Sequence, residues 1–257
     1  MEINLTKLAN DKPELEKEKT VIIKESMSKV FTILTRDGQG SGFLYKKGGY
    51  IITNAHVVAG YTDVVVRNST GKDSASNVIG ISDEFDVALI KASRYEKAQP
   101  LAIEEQESVI GTEVIAIGTP QGLENSASIG YLTGIGRNID YGFTYKNVYQ
   151  IDAQIDQGSS GGPLLDAKTG KVIGINSLLY RNNASFGFSI PMYSVKNLVD
   201  SWVEFPMSEQ EIASLFDVYK DNEHYDYEPE SSGYYDEYFD YYEDNYDDYY
   251  FENDGLE

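Results

Sequence analysis

Gly158-Ser159-Ser160-Gly161-Gly162-Pro163, followed by Leu164-Leu165, is the stretch on which the fold turns. A serine stands between glycines, a proline closes the bend, and an apolar run follows. A nucleophilic hydroxyl has to stand at a tight bend that substrate approaches from one side. Backbone N–H groups at the same bend have to point where a carbonyl oxygen becomes negative. Glycine supplies the positive φ angles and the close backbone approach that such a bend requires. The plain alternative is a Gly/Ser turn between two strands, which is common. The flanking sequence has to choose.

Around this stretch, short runs rich in Val and Ile alternate with turn residues. In the second half they place strands at 113–118, 126–135, 148–153, 162–165, 172–175 and 186–190. Apolar residues at helical spacing then place a closing helix at 193–204. In the first half the strands fall at 30–35, 41–46, 50–54, 62–67, 78–81 and 87–91. A short helix at 21–29 precedes them, and 68–76 reads as a polar loop. Closely spaced strands joined by turns fit a barrel or a sandwich. The lack of a long amphipathic helix between them argues against a parallel α/β sheet. The domain boundaries follow: a charged arm at 1–24, a first β unit at 25–110, and a second with its closing helix at 111–205.

The remainder, 206–257, has a different composition. Of the net charge of −21, residues 221–257 carry −15 with no Lys or Arg, leaving −6 on the rest. Tyr and Phe are scattered among these carboxylates, and aliphatic residues nearly vanish. Self-repulsion and the lack of a packable stripe make this an acidic, disordered tail. The acidic balance argues against nucleic acid as a partner. There is no cysteine, so neither disulfide nor thiol chemistry is available. The absence of an apolar leader or of a span long enough for a bilayer gives a cytoplasmic location as the expectation.

A serine hydroxyl is a poor nucleophile without a neighbouring base, and histidine is the best base near neutral pH. The chain has two, His56 and His224. His224 lies in the acidic tail. His56 stands at a strand end, in Thr53-Asn54-Ala55-His56-Val57-Val58, where a buried, hydrogen-bonded histidine is the plain alternative. A metal site lacks a second histidine in the body. The imidazole needs an acceptor to fix its tautomer. Asp86 opens the apolar run Asp86-Val87-Ala88-Leu89-Ile90, where a carboxylate beside buried surface needs a specific partner. Asp63, Asp73, Asp83 and Glu84 are the alternatives, in more polar surroundings.

These three motifs, in the order His, Asp, Ser, resemble those of the HtrA/DegP branch of trypsin-like serine proteases, and the order is that of the chymotrypsin fold. Gly40-Ser41-Gly42-Phe43, the run from Ala116 to Asn125, Gly174-Ile175-Asn176 and Gly187-Phe188-Ser189-Ile190-Pro191 are similar to further segments of that family. The resemblance implies an all-β fold of two six-stranded antiparallel barrels with the active site between them. It implies a triad of His56, Asp86 and Ser160, with the N–H groups of Gly158 and Ser160 as the oxyanion hole. It implies an endopeptidase without cofactor or metal, working through an acyl-enzyme on unfolded or misfolded proteins in quality control. Many relatives are oligomers.

The sequence also departs from the family. Ser159 stands where asparagine is usual, which leaves two adjacent serines; the Gly-Gly-Pro register favours Ser160. Gln154, six residues before Ser160, falls where the primary pocket is lined, with Ile175, Asn176, Ser177 and Phe188 as its other walls. No buried carboxylate is evident there for a basic side chain, so cleavage after small or medium apolar residues is expected. The PDZ domain that most relatives carry after the protease is not expected here. The competing reading is a scaffold of the same fold that binds peptides without cutting them.

Overall fold

The computed structural model describes residues 18–119, 126–141, 143–156, 158–180 and 186–222. Most of the charged arm, the tail beyond 222, and His224 lie outside these. Helix α1 (Lys19–Met27) leads into β1 (Val30–Leu34), β2 (Gln39–Lys46), β3 (Tyr50–Thr53), the short helix α2 (Ala55–Val58), β4 (Asp63–Arg67), β5 (Asp73–Ser82) and β6 (Val87–Lys91). The second half holds β7 (Glu113–Gly118), β8 (Ser126–Tyr141), β9 (Phe143–Ile151), β10 (Pro163–Asp166), β11 (Val172–Tyr180) and β12 (Phe186–Pro191). Helices α3 (Met192–Glu204) and α4 (Glu209–Asn222) follow.

The strands close into two antiparallel barrels, in the orders β1-β2-β3-β6-β5-β4 and β10-β11-β12-β9-β8-β7. Closure pairs every strand on both sides and leaves no sheet edge. β6 shows why its sequence is apolar throughout: Val87, Ala88, Leu89 and Ile90 are all fully buried. The barrels are tied crosswise by the two flanking helices. From the N-terminal side, Ile22 of α1 packs over Gly170 of the second barrel, and Lys19 pairs with Glu113 at 3.0 Å. From the C-terminal side, Trp202 of α3 lies on Gly80 of the first barrel. Asp200 of α3 takes the Tyr45 hydroxyl and the Lys46 ammonium of β2 at 2.8 and 3.1 Å.

Beside the strand expected at 172–175, which runs on as β11 to Tyr180, three segments differ from the sequence reading. The polar loop at 68–76 is shorter, because β5 begins at Asp73; Arg67 pairs with Asp73 through two bonds of 2.7 and 2.9 Å, and the polar residues zip β5 to β4. β8 and β9 run on past 135 and before 148 as a long hairpin with three register shifts. The chain after 206 does not leave the body at once. The Met207 N–H bonds to the Ile79 carbonyl, and α4 follows. Ser208 and Glu211 cap that helix reciprocally, the carboxylate accepting from the Ser208 N–H at 2.7 Å and Ser208 Oγ accepting from the Glu211 N–H at 3.2 Å. Ile212 is the buried anchor. Among the described residues no helix is long and apolar enough to cross a membrane.

Candidate active site

His56 is the second residue of α2, directly after β3. The residues before it are all tied down. Thr53 Oγ1 donates to the Ser41 carbonyl at 2.7 Å, and Asn54 Nδ2 donates to the Asp86 carbonyl at 2.8 Å. The Asp86 carboxylate then takes His56 twice, its backbone N–H at 2.9 Å and its ring Nδ1 at 2.9–3.0 Å. Asp86 is fully buried and sits at φ +48, a left-handed conformation that aspartate tolerates in tight turns. The turn from β5 to β6 therefore aims its side chain inward, at α2. The His56 side chain keeps 32 % of its surface exposed while its Nδ1 is held by the carboxylate.

Burial alone would lower the pKa of His56. The charge of Asp86 and the hydrogen bond to it outweigh that, and the net shift is upward. With Nδ1–H donated to a carboxylate, Nε2 is the basic atom.

The glycine-bracketed serine comes from the second barrel and is fastened to the first. The Ser160 carbonyl accepts from the Ser41 N–H at 2.7 Å. A side chain on Gly161 would come within 2.1 Å of the Ser41 carbonyl and 3.1 Å of the Asn54 nitrogen, so the backbones touch there. Gly161 sits at φ +86, which only glycine adopts without strain. Ser160 thus lies across from Asn54, two residues from His56. Its own hydroxyl donates to the Ser177 carbonyl at 2.9 Å.

The two adjacent serines face different surroundings. Ser159 is buried against Gly118 of β7, and its Oγ takes the Asp156 N–H at 3.4 Å, away from the first barrel. Gly158 sits at φ +94, with its carbonyl held by the Ser41 hydroxyl at 2.6 Å. Among the described residues the N–H groups of Gly158 and Ser160 have no acceptor, as donors reserved for an incoming oxyanion would not.

The expected pocket is dispersed. Gln154 and Asn176 line a cavity of about 220 Å³ behind the serine loop, together with Ser126, Ser128, Asp156 and Ser159. Ile175 and Phe188 point into the apolar core instead. Asn176 is fully buried and braces the loop, donating to the Pro163 carbonyl at 3.2 Å. Ser177 donates its hydroxyl to Asp86 at 2.8 Å. Sequence reading missed Ser41 and Tyr145, whose hydroxyls bond to site residues from the opposite barrel. Among the described residues no group of His, Asp and Glu could hold a metal ion.

A double barrel with an aspartate-held histidine on one half and a glycine-bracketed serine on the other is the architecture of the trypsin-like peptidases. The family described as "Trypsin-like peptidase domain" matches residues 40–175, and the chain belongs to it. Curated relatives are of the HtrA/DegP kind. "Protease Do-like 1, chloroplastic" of Arabidopsis thaliana is 36 % identical over 176 residues, 65 % of this chain and 40 % of its own length. A "Probable periplasmic serine endoprotease DegP-like" of Buchnera aphidicola is 35 % identical over 189 residues, 69 % of this chain and 40 % of its own. The chain thus spans about two fifths of the length of the curated relatives it matches. Among solved structures, the serine endoprotease from Yersinia pestis superposes with a TM-score of 0.65 at 27 % identity, covering 75 % of this chain and 69 % of that one. The HtrA-type protease AlgW with tripeptide gives 0.67 at 27 %, covering 73 % and 64 %.

Proposed function

We propose that the chain is a serine endopeptidase that cuts unfolded or misfolded polypeptides in protein quality control, with Ser160 as nucleophile, His56 as base and Asp86 as the group that orients it. The observation that carries this reading is the buried Asp86 carboxylate holding both the backbone and the ring of His56 beside the serine loop. In the first step Ser160 Oγ leaves the Ser177 carbonyl and turns to His56 Nε2. Its proton passes to that nitrogen as the C–O bond to the scissile carbonyl forms. The oxyanion then rests on the N–H groups of Gly158 and Ser160. The imidazolium returns the proton to the leaving nitrogen as the C–N bond breaks, and water releases the acyl group by the same path.

One observation favours the scaffold reading: at rest the Ser160 hydroxyl sits on a carbonyl. A fluorophosphonate probe separates the two. The peptidase reading expects covalent labelling of the wild type, if necessary with a substrate peptide present, and none of Ser160→Ala. It also expects new chain ends by mass spectrometry when an unfolded protein is added, with a loss of about 10⁶ in turnover for Ser160→Ala. A wild type that neither labels nor cuts would establish the scaffold.

A further inference from the structure

Asp86 holds more than the histidine. Its Oδ2 accepts His56 Nδ1 at 2.9 Å, the Ser177 hydroxyl at 2.8 Å and the Tyr145 hydroxyl at 2.9 Å. Tyr145 stands on β9 of the opposite barrel, pairs with Ile139 of β8, and is 4 % exposed. It belongs to the part of the β8–β9 hairpin that runs beyond the strand lengths legible in the sequence. Asn147, at φ +56, donates its N–H to Asn138 Oδ1 at 3.0 Å and shapes the hairpin beside it. Next to Tyr145, Lys146 pairs with Glu84 at 3.8 Å, two residues before Asp86. The hairpin is therefore laid against the turn that presents the carboxylate.

A carboxylate buried this completely costs several kcal/mol unless its lone pairs are filled. Nearby backbone could have filled them. Here a phenol from 59 residues away does so, and a phenol is a better donor than an alcohol because its own proton is more acidic. Each neutral donor on Oδ2 draws charge from the oxygen that faces His56. Fewer donors leave more charge on that oxygen, a more stabilised imidazolium, and a smaller neutral fraction of His56 at a given pH.

We propose that Tyr145 is a positioning residue for the His56–Asp86 pair, its hydroxyl fixing the carboxylate and moderating its pull on the histidine from the opposite barrel. This rests on the peptidase reading given above. Among the described residues, the charged groups placed beside the pair include, at the surface, Glu84 and Lys146, which face each other.

Two variants move the hydroxyl in opposite senses, and the NMR titration of the His56 ring reads them without any turnover. His224→Gln leaves one histidine to observe. Tyr145→Phe keeps the ring volume and removes the donor, so the His56 midpoint moves to higher pH. The acid limb of kcat/KM moves with it, and kcat on the plateau falls about 3- to 10-fold with KM unchanged. Site-specific 3-fluorotyrosine at 145, a stronger donor, moves the midpoint to lower pH. An unchanged midpoint in both variants overturns the proposal, whatever happens to activity. A wild type that fails to label with fluorophosphonate would sink the peptidase reading alone, since the titration judges Tyr145 independently.

Discussion

The Ser41 hydroxyl donates to the Gly158 carbonyl at 2.6 Å, reaching from β2 of the first barrel into the serine loop of the second. The same oxygen accepts from the Thr119 N–H at 3.0 Å, and the Ser41 N–H holds the Ser160 carbonyl at 2.7 Å. One residue thereby holds the two peptides that flank the Ser159-Ser160 pair. The far side of the first peptide is fixed too, by the Ser159 N–H on the Asp156 carbonyl at 2.9 Å. The N–H groups of Gly158 and Ser160 lie in the peptides next to the clamped ones, and that of Ser160 shares its peptide with the Ser159 carbonyl, which accepts from the Gly162 N–H at 3.0 Å. Ser41→Ala leaves a buried carbonyl unpaired, at about 1–3 kcal/mol. With the hole loosened, kcat falls by about 10- to 100-fold. Thermal melts and steady-state kinetics check the two effects separately. A variant that melts earlier but turns over as the wild type would make Ser41 a purely structural residue.

The raised pKa of His56 sets two opposite pH dependences. The base has to be neutral, so kcat/KM rises with pH through a midpoint above the ordinary histidine value of about 6.5. Stability runs the other way. A pKa raised on folding contributes stability that is fully present below the unfolded value, and this is lost as pH climbs through the folded one. Activity is therefore gained in the window where the ion pair's contribution to folding fades. Comparing melting temperatures of the wild type and His56→Gln from pH 5 to 9 tests this. The gap should be widest at acid pH, and a gap that widens with pH would reverse the assignment.

What sequence alone could tell depended on how local each signal was. The barrel strands were legible because Val- and Ile-rich runs such as Val87 to Ile90 are set by burial. His56, Asp86 and Ser160 stand out in the sequence because each lies in a motif of small or polar neighbours, and the structure gives those neighbours contacts: Asn54 and Thr53 brace the turn before the histidine, and Gly161 passes close to Ser41. β5 was read short because Asp73 to Ser76 has no apolar pattern; its pairing rests on Arg67 across the ladder. The roles of Tyr145 and Ser177 were hidden because both reach Asp86 across a barrel boundary, and no spacing encodes that. Of the expected pocket residues, Gln154 and Asn176 line the cavity while Ile175 and Phe188 lie in the apolar core, a separation set by tertiary packing and not by local sequence. The Ser208–Glu211 capping box was in plain view, but the acidic composition around it masked the helix that it starts.

Gly80 carries the contact that fastens the C-terminal helix. A Cβ there would stand 2.2 Å from Cδ2 of Trp202, far inside van der Waals contact. The indole cannot give way easily, since it is 6 % exposed and part of the main core. Gly80→Ala should therefore cost about 1–3 kcal/mol. Trp202 is the only tryptophan, so its emission reports the displacement directly. A red shift in the native state together with a lower urea midpoint is expected, and an unshifted spectrum would mean that β5 moves rather than the helix.

Asp200 does the polar half of the same task. It receives Lys196 at 2.8 Å within α3, and Tyr45 and Lys46 from β2. Burial alone would raise its pKa, but the bonds from Lys196, Tyr45 and Lys46 hold it below the ordinary carboxylate value. A pKa lowered on folding gives stability that is present above the unfolded value, near 3.9, and is lost as pH falls through the folded one. Asp200→Asn keeps an acceptor and removes the charge, so at pH 7 it should cost about 1 kcal/mol, as a partly exposed ion pair does. Below about pH 4 the difference from the wild type should shrink, because the unfolded chain's carboxyl takes up its proton there while the native one still holds its charge. Urea titrations followed through Trp202 at pH 7, 5 and 3.5 measure this. A cost that stays the same at all three would assign Asp200's contribution to packing and not to its charge.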